Sequence, residues 1–322
     1  MLKVGLVGTG HAAQRRAEAF LAHPLTTLVA VAGNTPEKTQ SFSQTYGIPS
    51  VSSWQDLIED TTIDLICISN VNKEHGKIVR AALLADKHVV VEYPLTIYPQ
   101  EAEELLQLAR SRNKLLHVEH IEILGGVHQA IRKYLSEIGE PFLARYSTIT
   151  LKSRLTPNWT FNYSCYGYPF IAALSRITRF TDLFGRVDSV TCYSRFWDAP
   201  QPGYFSSCYC QAQLSFKNGI LVCLTYGKGD EFKSGERVLE IYGNKGTLKF
   251  EGEKGKIIRG EEEEEIEVAG RRGLFNKDTE AVIDYLTRGK PLYFTLEASI
   301  YALKVAEAIQ KADQTKSLVF LP

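Results

Sequence analysis

The sequence predicts an α/β protein: an N-terminal doubly wound parallel sheet, followed by an α+β domain with a large, mostly antiparallel sheet. Three observations carry that expectation. The chain has 322 residues, which at roughly 150 residues per domain makes about two domains. Its first third alternates short, continuously apolar runs with helical patterns, as parallel strands covered on both faces do. Its remainder is dominated by longer alternating segments parted by glycine-containing turns, as antiparallel hairpins are.

In order along the chain, Val4-Gly5-Leu6-Val7 is a buried strand and Ala12 to Ala22 a helix. Leu28 to Ala32 is the second strand, and Pro36 opens the next helix at its first turn, where a missing N–H costs nothing. Val51 to Ser53, Asp64 to Ser69, His88 to Glu92 and the run from Leu115 supply further strands, with helices over His75 to Ala85 and Gln100 to Asn113 between them. Right-handed crossovers wind these strands into a Rossmann domain over residues 1–121. From 122 to 322 the pattern changes to an α+β domain. Its strands are Phe142 to Leu151, Val187 to Phe196, Cys208 to Phe216, Gly219 to Gly227, Arg237 to Gly243 and Gly246 to Gly252. Helices lie at Gly126 to Ile138, Pro169 to Phe184, Asn276 to Thr287 and Leu296 to Lys311. The run Glu261 to Glu265 reads as a solvated hairpin edge, where charge discourages edge pairing.

Composition excludes several classes. Lys plus Arg and Asp plus Glu both number 37, a net charge of zero, so neither nucleic acid nor an anionic membrane is an expected partner. No run approaches the roughly 18 apolar residues of a membrane span. Met1-Leu2-Lys3 leads into a strand without a signal-peptide pattern, so a cytoplasmic location is expected. None of the six cysteines forms a C-x-x-C pair, and neither a disulfide framework nor a metal site is expected. Cys208 and Cys210 alternate in a strand and share one face.

Between the first strand and the first helix stands Gly8-Thr9-Gly10-His11-Ala12-Ala13, a G-x-G-x-x-A loop. The first glycine makes a tight turn, the second admits a pyrophosphate, and the small third residue lets helix and strand pack closely. The helix N-terminus then offers free N–H groups to the phosphate. The second strand ends Ala32-Gly33-Asn34-Thr35 with no acid before Glu37. A carboxylate there would bind the ribose of NADH and repel a 2′-phosphate. Its absence favours NADPH, with NADH still possible; Asn34 and Thr35 can donate to the phosphate, and Lys38 or Arg15 can supply counter-charge.

The glycine loop, Asn70-x-x-x-x-His75 and the run Gly76 to Pro94 resemble the glucose-fructose oxidoreductase/inositol dehydrogenase superfamily. That superfamily usually closes its fourth major strand with Glu-Lys-Pro, whose lysine assists alcohol oxidation; here the triplet is Glu92-Tyr93-Pro94. That tyrosine resembles the biliverdin reductase family, cyanobacterial type. So do Leu115 to Glu122, Tyr166-Gly167-Tyr168-Pro169, Leu174 to Arg179 and Leu183-Phe184-Gly185. The helix that carries an Asp-x-x-x-His pair in the sugar enzymes reads Ile171-Ala172-Ala173-Leu174-Ser175-Arg176. The resemblance implies reduction of a linear tetrapyrrole, biliverdin IXα, by hydride transfer to its C10 bridge, with a pyrrole nitrogen protonated and bilirubin released.

The resemblance also assigns residues. Arg176 polarises the reacting ring or passes it a proton, directly or through water, since an arginine of pKa about 12 or higher is a poor acid. Arg179, three residues on, holds a propionate or is solvated. Tyr93, at the carboxyl edge of the parallel sheet where α/β folds place ligands, stacks on or hydrogen-bonds the bilin or nicotinamide; alternatively it fills an interface. In an extended strand His117 and Glu119 share one face and His120 and Glu122 the other, and the family match turns His120 and Glu122 to the substrate. A histidine near a carboxylate there would titrate close to neutral pH. Tyr168, in an aromatic stretch with Trp159, Phe161, Tyr163 and Tyr166, is a candidate bilin contact. Asn70, His75 and Glu92 are expected at the cofactor, His75 alternatively capping its helix. A sugar or cyclitol dehydrogenase of the superfamily, and a non-catalytic nucleotide sensor, are the rival readings. Monomer against dimer is not decided by the sequence.

Overall fold

A computed structural model of the chain describes residues 1–152 and 158–322. Contacts divide it into two units, Met1–Ile121 with Gly273–Ile300, and Glu122–Arg272 with Tyr301–Pro322.

The first unit is built on six parallel strands: β1 (Leu2–Val7), β2 (Thr26–Ala32), β3 (Ser50–Val51), β4 (Leu65–Ile68), β5 (His88–Val91) and β6 (Leu116–Val118). Their order is β3-β2-β1-β4-β5-β6, the doubly wound arrangement with its reversal beside β1. β4 is wholly buried, as are residues 4–7 of β1 and 89–91 of β5, which is why these stretches carry no charged residue. Val4, Leu6, Ala17, Phe20 and Val31 pack there with Val282 and Ile283 of the helix Leu274–Arg288.

That helix departs from the expected boundary, which placed everything after residue 121 in the second domain. Its polar face explains its position. Asp278 is fully buried, accepts hydrogen bonds from Arg16 Nη1 and from Tyr293 Oη (2.6 Å), and lies 2.8 Å from His117 Nε2. Burial raises the Asp278 carboxyl, but Arg16 and His117 outweigh it and hold the group well below the usual carboxylate range.

Among the described residues the second unit carries nine strands: β7 (Pro141–Leu151), β8 (Val187–Asp198), β9 (Phe205–Phe216), β10 (Leu221–Gly229), β11 (Glu236–Gly243), β12 (Gly246–Glu251), β13 (Lys254–Arg259), β14 (Glu262–Ile266) and β15 (Val319–Phe320). Their order is β14-β13-β12-β11-β7-β10-β9-β8-β15, antiparallel except where β10 runs parallel to β7. The acidic run forms the edge strand β14, where Lys256 and Arg259 of β13 face Glu263 and Glu264. Cys208 and Cys210 are both buried, and all six cysteines are free.

Two local expectations fail for identifiable reasons. The segment from Leu115 to Glu122 does not stay extended: β6 stops at Val118, and the Glu119 carboxylate accepts the Ile121 N–H and starts the helical turn Ile121–Leu124. The expected helix Pro169 to Phe184 is broken into Pro169–Ala172 and Ser175–Phe184, because Ala173 leaves helical geometry (φ −103°, ψ 38°). The break makes Ser175 and Arg176 the opening residues of a new helix. Among the described residues no helix is long and apolar enough to cross a membrane.

Candidate active site

The first unit supplies a dinucleotide loop. Gly8 has φ +122°, and a Cβ there would meet the Ser69 carbonyl oxygen at 2.3 Å, so only glycine fits this turn. Gly10 caps the helix His11–Ala22, and nothing lies within 4 Å of where its Cβ would stand. That open space over free helix N–H groups suits a pyrophosphate. Thr9 lies close to Gly33, where a Cβ would meet Thr9 Cγ2 at 2.7 Å. Ala13 is buried against the sheet, while His11 is exposed and Ala12 half-buried. Asn34 is exposed, and Thr35 caps the helix Pro36–Tyr46 with its carbonyl accepting from Thr39 Oγ1 at 2.8 Å. The strand end itself, Ala32-Gly33-Asn34-Thr35, carries no carboxylate. Arg15 pairs with Glu18 at 2.8 Å. These residues fit a nicotinamide dinucleotide.

At the next strand ends, buried His75 lies 2.8 Å from the Pro94 carbonyl through Nδ1 and 3.3 Å from the Asn70 carbonyl through Nε2, so it straps the ends of β4 and β5 together. It also begins the helix His75–Leu84. The Tyr93–Pro94 bond is cis. Glu92 accepts from Arg16 Nε at 2.8 Å and so serves the internal charge network. The Tyr93 ring stacks on His120, centroids 5.8 Å apart and planes 4° apart. His120 in turn bonds Ser299 Oγ at 2.8 Å and takes the edge of Phe294.

His120 does not behave as a neutral-pH switch. Burial, helped by His117, pushes its pKa down to about 3, so the ring is neutral at working pH. The expectation failed because no carboxylate pairs with it among the described residues; the nearby acid, Asp278, is engaged by His117 and Arg16. His120 is buried, a support for the Tyr93 ring.

The second unit holds a cavity of about 620 Å³ lined by Glu122, Thr148, Ser175, Arg176, Arg237 and Arg271, among others. Arg176 Nε donates to Thr148 Oγ1 (3.3 Å) and its Nη1 to Ser175 Oγ (3.1 Å). Its guanidinium lies 5.4 Å from the Tyr226 ring centroid, and Tyr226 and Tyr166 share a hydrogen bond of 2.8 Å between their hydroxyls. Glu122 is ringed by cations: Arg271 forks onto its carboxylate, Arg179 Nη2 donates at 3.4 Å, and Arg237 stands at 3.7 Å. Burial raises Glu122, yet the three guanidiniums bring it down to about 2, so it is ionised throughout the working range. Arg179 is not solvated; it is buried one helical turn from Arg176, under the Tyr146 ring. Tyr168 is half-buried with its hydroxyl 3.3 Å from Cys192 Sγ, away from the residues that line the cavity.

The structure thus gathers the glycine loop in one unit and Arg176, Arg179 and Glu122 in the other, and keeps Tyr168 out of the cavity. Sequence reasoning did not find Arg237 or Arg271. Arg237 is one charge in an alternating strand, and only the pairing of β11 with β7, across about 90 residues of chain order, brings it opposite Thr148.

A doubly wound sheet with a dinucleotide loop, followed by a mixed sheet with a cationic cavity, defines a nicotinamide-nucleotide-dependent oxidoreductase. The chain belongs to the oxidoreductase family with an NAD-binding Rossmann fold: that domain matches residues 2–120, and the family's C-terminal alpha/beta domain matches residues 132–321. It is similar to the biliverdin reductase of Synechocystis sp. PCC 6803, solved with biliverdin and NADP+, at 53 % identity and a TM-score of 0.95 over 97 % of this chain and 98 % of that one. Human biliverdin reductase A is 30 % identical over 43 % of this chain and 44 % of its own length. The dTDP-3,4-didehydro-2,6-dideoxy-alpha-D-glucose 3-reductase of Streptomyces antibioticus is 34 % identical over 43 % of each chain. The matches to these two curated relatives span less than half their length.

Proposed function

We propose that this chain is a cytoplasmic NADPH-dependent biliverdin reductase: biliverdin IXα, NADPH and a proton give bilirubin and NADP+. The observation that carries the reading is 53 % identity to a biliverdin reductase across 97 % of the chain, and the chemistry of the site agrees with it. Bound reduced nicotinamide supplies the hydride. The hydride adds to the C10 bridge of the substrate, electron density moves onto a pyrrole nitrogen, and that nitrogen takes a proton. Arg176, oriented by Thr148 and Ser175 and backed by Tyr226, presents a permanent positive charge to that density. Its guanidinium is too weak an acid to surrender its own proton readily, which favours solvent as the ultimate proton source. Tyr93, kept flat against neutral His120, offers an aromatic face and a hydroxyl to the flat reactants. Free cysteines agree with a reducing compartment.

The sugar-dehydrogenase reading lacks its chemistry here. Tyr93 occupies the lysine's place, and Ile171, Ala172 and Ala173 are buried apolar residues where an Asp-x-x-x-His pair would start. The test is an absorbance assay of purified protein with biliverdin IXα and NADPH. Wild type should convert the long-wavelength biliverdin band to the bilirubin band. Arg176→Ala should lose about 100- to 1,000-fold in kcat, as loss of one transition-state donor does, with NADPH affinity unchanged. NADPH binding without bilin turnover would overturn the reading and raise that of a nucleotide sensor.

A further inference from the structure

We infer that Arg237, braced by the Glu122–Arg271 pair, is the carboxylate-recognition residue of the cavity and takes a propionate of the tetrapyrrole. The ligand's identity rests on the function proposed above; the anion site rests on geometry. Three guanidiniums approach Glu122, but they are not equivalent. Arg271 commits two N–H groups to the carboxylate, and Arg179 is buried with one N–H on it. Arg237 stands 3.7 Å away, within ion-pair reach but beyond hydrogen-bond distance, with its side chain 39 % exposed and lining the cavity. Among the described residues nothing accepts a hydrogen bond from its planar fork of donors, and such a fork matches a carboxylate bidentately. Glu122, ionised and tied to Arg271, keeps the guanidinium pointing inward without occupying its donors.

The strand register fixes where a bound carboxylate would lie. Arg237 of β11 is opposite Thr148 of β7, and Thr148 is opposite Tyr226 of β10. Arg176 donates to that same Thr148 and covers that same Tyr226. Arg176 and Arg237 therefore flank one threonine on one face of the sheet, where directly opposed side chains start about 5 Å apart. In biliverdin IXα the two propionates hang from the two inner rings that C10 joins. A propionate held at Arg237 brings C10 and its neighbouring pyrrole nitrogens up to Arg176. Arg237 is thus a specificity residue, which selects a diacid and sets its register.

The experiment titrates biliverdin IXα and its dimethyl ester, in the presence of NADP+ so that no turnover occurs, into wild type, Arg237→Ala, Arg237→Gln and Arg237→Lys. Loss of a bidentate charge-assisted contact should weaken the diacid about 10- to 100-fold in the Ala and Gln variants. The ester should change less than about 3-fold by the same reasoning, and Lys should restore part of the loss. In turnover KM should rise by more than kcat falls, the loss in kcat reflecting the lost register. Diacid and ester weakened alike, or neither weakened, would overturn the assignment. If wild type binds neither tetrapyrrole, the substrate reading has failed on its own. Citrate then decides the anion site: a thermal shift in wild type that is absent from Arg237→Gln supports it, and equal shifts or none overturn it.

Discussion

Lys228 offers a quantitative test of the energetics of the second unit. Its side chain is 3 % exposed near the end of β10, and its ammonium donates to the Thr160 carbonyl. The rings of Tyr166, Phe161 and Phe205 surround it at 3.6, 4.5 and 5.2 Å. No carboxylate pairs with it among the described residues. Burial pushes its pKa down from 10.5 to about 7, with Cys208 opposing and Lys152 assisting the shift. The sign follows from proton counting. Between pH 7 and 10.5 the unfolded chain keeps a proton that the folded chain has lost, so stability rises with pH across that window. Each unit is worth about 1.4 kcal/mol, so the whole shift amounts to about 5 kcal/mol. Below pH 7 the full cost of the buried charge is present. Urea unfolding of wild type and Lys228→Met at pH 6, 7.5 and 9 measures this directly. The wild-type stability relative to the variant should grow by about 2 kcal/mol between pH 7.5 and 9. Parallel profiles would refute the reasoning and mean that the three rings and the carbonyl hold the ammonium as well as water does.

Two further perturbations address the first unit. Asp278→Asn leaves Arg16 buried beside one acid fewer, and should cost about 3–5 kcal/mol in urea unfolding, as removing one member of a buried pair does; a loss below 1 kcal/mol would show that the network is not needed for folding. Asn34→Asp places a carboxylate at the end of β2, where it repels a 2′-phosphate and binds a ribose hydroxyl. The ratio of NADPH to NADH affinity, read by nucleotide fluorescence, should fall at least about 10-fold, and an unchanged ratio would remove Asn34 from the cofactor site.

The parts of this molecule that were legible in the sequence are those written locally. The glycine loop, the apolar strands of the first sheet and the hairpin turns at Asn218-Gly219 and Asn244-Lys245 each depend on a few adjacent residues, and each forms where the pattern puts it. What was not legible depends on partners far along the chain. The helix Leu274–Arg288 joins the first unit because Asp278 meets Arg16, 262 residues away, and no periodicity records that pairing. The turn after β6 forms because one side chain, Glu119, captures a backbone N–H, where alternation alone suggested a continuing strand. The helix break at Ala173 carries no glycine or proline to announce it. The sequence neighbours of His120 suggest a titrating group, whereas its burial keeps it neutral. Arg176 was found by its place in a family pattern; Arg237 required the β11–β7 register.

If hydride passes from nicotinamide to the bridge carbon of a bilin, an isotope carried by the nicotinamide must appear at that carbon. NADPH deuterated at the transferring C4 position is incubated with the protein and biliverdin IXα, and the product is read by NMR and mass spectrometry. One deuterium is expected in the C10 methylene of bilirubin and none elsewhere. Unreacted biliverdin, or a reduced product with deuterium absent from C10, would contradict it.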